Sequence, residues 1–202
     1  MSHHKRKEEV YNFLLETAKE LSKKKLGALI VIAPKNKFKG IYEPLYPQVI
    51  AKQKIFKKGA KQLILKLAEL DGAFLITDEG TLVAFGARIK KSKALHGYGT
   101  KHAAAVGITS HIKNSSAILV SEETNWIKIF KNGQIVLQMD SSKTPKSVMH
   151  KAILFLTDND TTLLATAGVS AAIVGFIPMV IISGAYLTIK TASGIIKKSL
   201  KH

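Results

Sequence analysis

The sequence contains no cysteine, which excludes disulfides and thiolate metal sites. It has no glycine-rich phosphate loop, no zinc-binding signature and no Ser/His/Asp order typical of a hydrolase. Acidic residues are also scarce, because 14 Asp and Glu stand against 31 Lys and Arg in 202 residues. The formal net charge of +17 favours anionic partners, such as nucleic acid, acidic lipid or nucleotide phosphates, without choosing among them.

The pattern of helices and strands predicts an α/β fold, in which a mixed central β-sheet is flanked by helices and followed by a C-terminal apolar helical segment. Predicted helices cover residues 7–25, 59–70, 100–111 and 145–157. Predicted strands cover residues 26–33, 73–77, 81–87, 117–120, 126–130 and 134–138. The predicted organisation is an N-terminal helix packed on the domain (1–25), the domain (26–140), a connector (141–160), the apolar segment (161–189) and a basic tail (190–202).

The apolar segment, residues 161–189, contains no charged residue and is rich in small residues. Because a membrane-spanning helix needs roughly 20 apolar residues, we expect a transmembrane or membrane-associated segment, bent at Pro178. The alternative is a buried hairpin or helix in a soluble oligomer. Since lysines flank both ends, the positive-inside rule does not choose between a crossing, a re-entrant arrangement and one that lies on the surface.

Two short motifs carry the chemistry. Asp71-Gly72-Ala73 stands where a helix gives way to a strand, where a carboxylate can bind a divalent ion or accept a proton from a hydroxyl. Gly99-Thr100-Lys101-His102 opens an alanine-rich helix, whose N-terminus is an anion site. Alone, the first motif is also an ordinary turn, and the second is a helix capped by the Thr100 hydroxyl.

Ser121 and Glu122 follow a predicted strand, and the ends of strands are common ligand sites in α/β folds. They add a hydroxyl and a carboxylate, and their alternative interpretation is a polar turn. The basic stretch at 35–61 interleaves lysines with aromatic residues, a pattern that can bind single-stranded nucleic acid. The favoured interpretation of this stretch is a solvated loop or a face near acidic lipid.

In order and spacing, these segments resemble the diadenylate cyclase domain. The family pattern is Asp-Gly-Ala followed some thirty residues later by Gly-Thr-Arg-His-Arg-Ala-Ala. Here these are Asp71-Gly72-Ala73 and Gly99 to Ala105, and Ser121-Glu122 continues the match. The resemblance covers residues 7–140.

The resemblance implies an enzyme, a nucleotidyltransferase that condenses two ATP into cyclic di-AMP with Mn²⁺ or Mg²⁺, across a face-to-face homodimer or higher homo-oligomer. It implies Asp71 and His102 as catalytic residues and a metal held by Asp71, His102 and Glu122. Substrate-binding residues would be Gly72, Ala73, Ile89, Gly99, Thr100, Lys101, Ser121 and Glu122. With the apolar segment, the expected location is at a membrane, with the catalytic domain in the cytoplasm; nucleic acid is not the expected partner.

Two positions depart from the family pattern. Lys101 replaces the first arginine, which keeps the charge but loses the bidentate fork. Ala103 replaces the second arginine and removes a cation, which Arg88, Lys90 or Lys93 could supply instead. The alternatives are therefore a catalytically weak nucleotide-binding homologue that acts as a sensor or scaffold, or a basic protein that binds nucleic acid or acidic lipid.

Overall fold

The structure is a computed structural model, and it describes residues 3–93 and 99–142, positions 149, 153, 156 and 157, and the short strand at 180–182. Three α-helices lie within the described residues: α1 (His3–Lys23), α2 (Ala60–Leu67) and α3 (Thr100–His111). The strands are β1 (Ala28–Ala33), β2 (Tyr42–Pro44), β3 (Ala73–Thr77), β4 (Leu82–Ile89), β5 (Ser116–Val120), β6 (Trp126–Lys131), β7 (Gln134–Asp140) and β8 (Val180–Ile182).

All eight strands form one sheet in the order β2-β4-β3-β1-β5-β6-β7-β8. Strands β1 and β3 pair in parallel, and the other pairs are antiparallel. The predicted mixed sheet is thereby confirmed. All six residues of β1 are buried, as expected for an apolar strand covered on both faces.

Alternating residues of the strands build two cores. Ile30 and Ile32 of β1 face the core that α1 and α2 cover, whereas Leu29 and Val31 face the core that α3 covers. This alternation follows from the two-residue period of a strand. The apolar stripe of α1 supports the first core, because Val10, Leu14, Ala18 and Leu21 are fully buried. The helices therefore lie on both faces of the sheet, as predicted.

The buried stripe of α2 differs from the prediction. The apolar spacing of the sequence predicts that Leu63, Ile64, Leu67 and Leu70 face inward. Ile64 is indeed buried and Leu67 is partly buried, but Leu63 and Leu70 are 40% and 36% exposed. Leu65 and Ala68 are buried beside Ile64, at the spacing of one helix face. The helix ends at Leu67, so Leu70 lies in the following turn, where helical periodicity no longer sets its direction.

The predicted apolar segment at 161–189 lies outside the described residues, except at 180–182. There it forms strand β8, which pairs with β7 through Leu137–Ile182, Gln138–Ile181 and Met139–Val180. At these three positions the predicted helix is wrong, and the β-branched residues Val180, Ile181 and Ile182 suit a strand. None of the helices within the described ranges is both long and apolar enough to cross a membrane.

Candidate functional site

The sheet topology brings the two motifs to one edge. Because β3 runs parallel to β1 and antiparallel to β4 and β5, the starts of β1 and β3 lie beside the ends of β4 and β5. Asp71 and Gly72 directly precede β3, and Ile89 ends β4. Helix α3 begins at the same edge and packs across β1, β5 and β6. The two sequence motifs are therefore neighbours in space.

A cavity of about 360 Å³ opens between this edge and the first turn of α3. Its volume lies within the usual range of small-molecule sites, about 300–1,000 Å³. Six of the predicted site residues line it: Asp71, Gly72, Ala73, Ile89, Thr100 and Lys101. The rest of the lining is Leu29, Leu45, Ala87, Arg88, Ser92, Ala103 and Ala104. One apolar wall and a few polar groups suit a ligand with an apolar ring and an anionic end.

Asp71 is held in a tight turn. Its Oδ1 accepts a hydrogen bond of 2.8 Å from the backbone N–H of Gly72, and its side chain remains exposed. Gly72 has a φ of +103°, and a Cβ there would lie 2.5 Å from the backbone carbon of Gly86. Gly86 also has a positive φ, +52°. The missing Cβ of Gly72 allows the residues before β3 to approach the backbone of β4 this closely, and Gly86 leaves room for the Tyr46 ring. The approach places Asp71 at the cavity.

Two segments next to β4 complete the wall. Gln48 donates its amide to the carbonyl of Phe85 at 2.9 Å and accepts from the Phe85 N–H at 3.0 Å. These bonds fix the segment that carries Leu45. On the other side, the N–H of Lys93 donates to the carbonyl of Ala103 at 3.0 Å. A glycine at 107 in α3 makes room for this crossing, since a Cβ there would overlap the Lys91 carbonyl.

The N-terminus of α3 is capped by Gly99, in extended conformation, with no side-chain hydrogen bond. The predicted cap by the Thr100 hydroxyl is therefore wrong, because Thr100 is already the first helical residue. The carbonyl of Gly99 accepts from the N–H groups of His102 and Ala103. The N–H groups of Thr100 and Lys101 belong to the first turn of the helix, and this turn places the positive end of the helix dipole at the cavity.

Lys101 links the cavity to Glu122. Its Nζ lies 3.5 Å from Glu122 Oε2. Gly27, just before β1, leaves the space for this pair, because a Cβ there would lie 2.7 Å from that oxygen and 3.1 Å from Nζ. Glu122 does not line the cavity itself, so its place at the site depends on Lys101.

Arg88 brings a second cation to the cavity wall. Its Nη2 lies 2.7 Å from Oε2 of Glu43 on the neighbouring strand β2. The hydrogen bond and charge of Arg88 lower the pKa of the Glu43 carboxyl, and the same contact raises the pKa of Arg88. Ala103, where the family pattern has an arginine, lines the same cavity. Lys90 and Lys93 are exposed and are not among the described residues that line it.

His102 points away from Asp71. Its Nε2 lies 3.1 Å from Nζ of Lys128 on β6, and its ring meets Phe130 edge-on with centroids 6.0 Å apart. Burial, and then the charge of Lys128, lower the pKa of His102 to about 4. Burial lowers the pKa of Lys128 as well. The imidazole is therefore neutral at physiological pH.

The remaining predicted site residues, Gly99 and Ser121, lie outside the described lining of the cavity. Gly99 is the helix cap, and Ser121 Oγ accepts the N–H of Thr124 at 3.2 Å in a local turn. Within the part of the chain that the structure describes, no three His, Asp or Glu residues come together as a metal site. The predicted metal set of Asp71, His102 and Glu122 is thus not assembled as a cluster of side chains.

The aromatic residues of the basic stretch at 35–61 are held by contacts within the fold, although Phe56 remains 38% exposed. Phe38 is buried, and the Tyr46 ring lies against Gly86. Phe56 meets Phe13 edge-on and carries Arg6 over its ring, 5.2 Å from the centroid. Rings held in this way do not form a platform for stacked bases, which favours the interpretation as a solvated loop.

Sequence reasoning missed several residues of the site. Gly27, Leu45 and Ser92 are distant in sequence from both motifs, and no motif marks them. Gly86 had a weak signal, because a glycine inside a strand pattern indicates a bulge or a close approach. The pairing of β3 with β4 indeed shifts register there.

Comparison with known proteins identifies relatives of this chain. The family model for DAC, described as the nucleotide-binding domain of the DisA bacterial checkpoint controller, matches residues 15–135. A diadenylate cyclase of Methanocaldococcus jannaschii is 36% identical over 89 residues, which are 43% of this chain and 28% of that protein. A diadenylate cyclase of Haloferax volcanii is 28% identical over 138 residues, or 63% of this chain and 51% of that protein. The chain thus matches about half, or less, of the length of these curated relatives.

Solved structures share the fold. A protein of Bacillus cereus, described as a hypothetical membrane spanning protein, superposes with a TM-score of 0.50 and 23% identity, covering 61% of this chain and 60% of that one. A double mutant of DacA from Staphylococcus aureus superposes with a TM-score of 0.50 and 20% identity, covering 76% of this chain and 98% of that one. At these identities the likeness concerns the fold alone.

Proposed function

The chain belongs to the diadenylate cyclase (DAC) family, and from this premise we propose that it condenses two ATP into cyclic di-AMP and two pyrophosphates. One observation supports the proposal most: Asp71 and the N-terminus of α3, some thirty residues apart in sequence, line one cavity of about 360 Å³. A carboxylate facing an anion site is what attack of a hydroxyl on a phosphate requires.

In the proposed reaction, the oxygen of a ribose 3′-hydroxyl forms a bond to the α-phosphorus of the other ATP. The bond from that phosphorus to the oxygen bridging to the β-phosphate breaks, and pyrophosphate leaves. The hydroxyl proton passes to a base. Asp71 is the carboxylate in the cavity wall and is exposed, so we assign it this role. Each copy holds one ATP, so two copies face each other to complete the ring.

The phosphates would lie at the first turn of α3, where the N–H groups of Thr100 and Lys101 and the Lys101 ammonium supply positive charge. Gly72 and Ala73 allow the ligand to approach the backbone closely. The adenine would lie against the apolar wall that contains Ile89, which is only 8% exposed. Ser121 and Gly99 keep their predicted binding roles as part of this proposal, next to the wall rather than in it.

The described residues offer a divalent ion few side-chain ligands. Ions in nucleotide sites are commonly held by one or two carboxylates together with phosphate oxygens and water, so no cage of three side chains is needed. Asp71 would be the carboxylate in the cavity, with Glu122 behind Lys101. When bound, Mn²⁺ or Mg²⁺ would stabilise charge on the phosphates and ease removal of the hydroxyl proton.

The test is incubation of the purified chain with ATP and Mn²⁺ or Mg²⁺, with cyclic di-AMP measured by mass spectrometry. Asp71→Asn is the informative variant, and Glu69→Gln, an exposed carboxylate in the same turn, is its matched control. The proposal expects product from the parent chain and from Glu69→Gln, and a large loss in Asp71→Asn. Absence of product from the parent chain would contradict it.

The second candidate function is that of a catalytically weak homologue that binds a nucleotide. Ala103 in the cavity wall is the observation that favours it. An arginine at this position would place another cation against the phosphates. Calorimetry that finds tight ATP binding without turnover would support a sensor or scaffold. Restoring the cation with Ala103→Arg would then be expected to raise turnover.

Association with a membrane through residues 161–189 stays a prediction. Strand β8 within this segment pairs with the sheet edge and offers an alternative place for part of it. Flotation of the full chain with liposomes of acidic and of neutral lipid tests the prediction. Binding to neutral liposomes that survives high salt would indicate insertion, whereas binding only to acidic ones at low salt would indicate surface charge.

A further inference from the structure

On the flank of α3 that faces away from the cavity, His102 pairs with Lys128 of the neighbouring strand β6. Nζ of Lys128 lies 3.1 Å from Nε2 of His102. Lys128 and Phe130 are two residues apart on β6, so both face α3, and Phe130 meets the imidazole edge-on at 6.0 Å. His102 is therefore held on two sides by residues of one strand.

The chemistry of this contact decides the state of the imidazole. A lysine ammonium has three donors and no acceptor. With Lys128 as an ammonium, Nε2 of His102 is the acceptor of this contact, and the neutral ring then carries its proton on Nδ1. An imidazolium in this place would confront a second cation at hydrogen-bond distance, so the pair itself opposes protonation.

The same contact bears on metal binding. A histidine binds a metal through an unprotonated nitrogen of the neutral ring. In the arrangement with a charged Lys128, the unprotonated nitrogen would be Nε2, and the Lys128 ammonium already lies 3.1 Å from it. A divalent cation at Nε2 would have to displace the ammonium and would lie beside it.

We propose that Lys128 is a positioning residue that fixes His102 as the neutral Nδ1–H tautomer and excludes a divalent cation from its Nε2. This inference rests on the proposed function, because that function supplies the metal-dependent reaction. The tautomer of His102 can nevertheless be measured whether or not the chain turns over ATP. The divalent ion of the proposed reaction would then be held by Asp71 and the substrate phosphates without His102.

Nitrogen-15 NMR of the histidine ring tests the tautomer. In the parent chain, His102 should show a protonated Nδ1 and an unprotonated, hydrogen-bonded Nε2. Lys128→Arg should keep this pattern, because a guanidinium also only donates, whereas Lys128→Met should lose it. A protonated Nε2 in the parent chain would overturn the proposal.

Binding of Mn²⁺ alone, followed by electron paramagnetic resonance, tests the exclusion. His102→Ala should change the Mn²⁺ affinity by less than about twofold, whereas loss of a true ligand or of its support typically costs about 10- to 100-fold. Asp71→Asn should weaken binding clearly. A tenfold loss in His102→Ala would overturn the proposal.

Lys128→Met should raise the affinity for Mn²⁺, because it frees Nε2. The gain should disappear in the double variant Lys128→Met/His102→Ala. If the gain persists there, it comes from the lost charge alone and the exclusion is contradicted. Lys113→Met, at an exposed lysine after α3, is the control for a general loss of charge.

The two proposals fail separately. A chain that makes no cyclic di-AMP but shows the predicted tautomer contradicts the proposed function and leaves the assignment of Lys128 standing. If the parent chain makes cyclic di-AMP but His102→Ala loses Mn²⁺ binding, the assignment of Lys128 is contradicted and the proposed function stands.

Discussion

Two acidic turns flank strand β3, and the fold places different partners beside them. Asp71-Gly72 precedes the strand and faces the N-terminus of α3 across a cavity of about 360 Å³. Asp78-Glu79-Gly80 follows the strand and faces Pro34, Lys35 and Asn36 across an open depression. Both turns combine a carboxylate with a glycine. The first turn lies beside the N-terminus of the twelve-residue helix α3, whereas the second lies beside a single 3-10 turn at Lys35–Phe38 and closes the hairpin between β3 and β4.

The largest expected difference between the turns is catalytic. Asp71→Asn should lower the rate of cyclic di-AMP formation by about 10²–10⁴-fold, because a positioned base contributes about that much. Asp78→Asn should leave the rate within about twofold, since Asp78 lies at the opposite end of β3. Steady-state kinetics measures both. Equal losses in the two variants would contradict the assignment of the site to the first turn.

Alkaline pH should test the burial of Tyr11, whose hydroxyl also senses the charge of Asp78 in the second turn. Burial raises the pKa of Tyr11 to about 12, from 10.0, and the nearby charge of Asp78 adds to the shift, while the 2.6 Å bond to Ser116 opposes it. A raised folded pKa means that the stabilisation is present below pH 10 and lost as pH rises toward 12. Two units correspond to about 3 kcal/mol.

Urea unfolding at pH 8 and at pH 11 measures this loss. Tyr11→Phe is the control that isolates it, because every other ionisable group is the same in both proteins. It should cost about 1 kcal/mol at pH 8 through the lost hydrogen bond and should then lose less stability on going to pH 11. Parallel pH dependence in both proteins would refute the attribution to Tyr11.

Replacing the glycine of each turn by alanine should cost different amounts of stability. Gly72→Ala forces a residue with φ +103° against the backbone of Gly86, and should destabilise the fold by about 1–3 kcal/mol. Gly80→Ala, at φ +77°, meets the end of the Phe56 ring, which can turn aside. We expect about 1 kcal/mol there. Thermal unfolding ranks the two, and a larger loss in Gly80→Ala would show that the close approach of β3 and β4 is not needed.

The smallest expected effect is the change in ATP affinity when a single lysine is replaced. Lys101→Ala should weaken ATP binding by about tenfold, because it removes one charge-assisted contact, whereas Lys35→Ala at the other end of the sheet should not change it. Calorimetry with ATP and with adenosine separates the contributions. A loss for ATP but not for adenosine places Lys101 at the phosphates; an equal loss for both would place it at the base.

Much of the fold was predictable because its signals are local. The buried run of β1 and the start and end of α3 follow from apolar pattern and composition, and the structure places them where the sequence predicts. The stripe of α2 was not predictable to the residue, since Leu63, Ile64 and Leu65 are all apolar. Only packing against α1 decides which of them is buried.

The candidate site likewise combines features that local sequence encodes with contacts that only the tertiary structure creates. The sequence by itself determined the residue types and spacing of Asp71-Gly72-Ala73 and Gly99-Thr100-Lys101-His102, and with them the family. It could not determine that Lys101 meets Glu122 through the space at Gly27. Nor could it determine that Lys128 turns His102 away from Asp71. These contacts join residues 21 to 95 positions apart, from different strands and the helix that crosses them. Strand order and direction, which no local pattern encodes, bring them together.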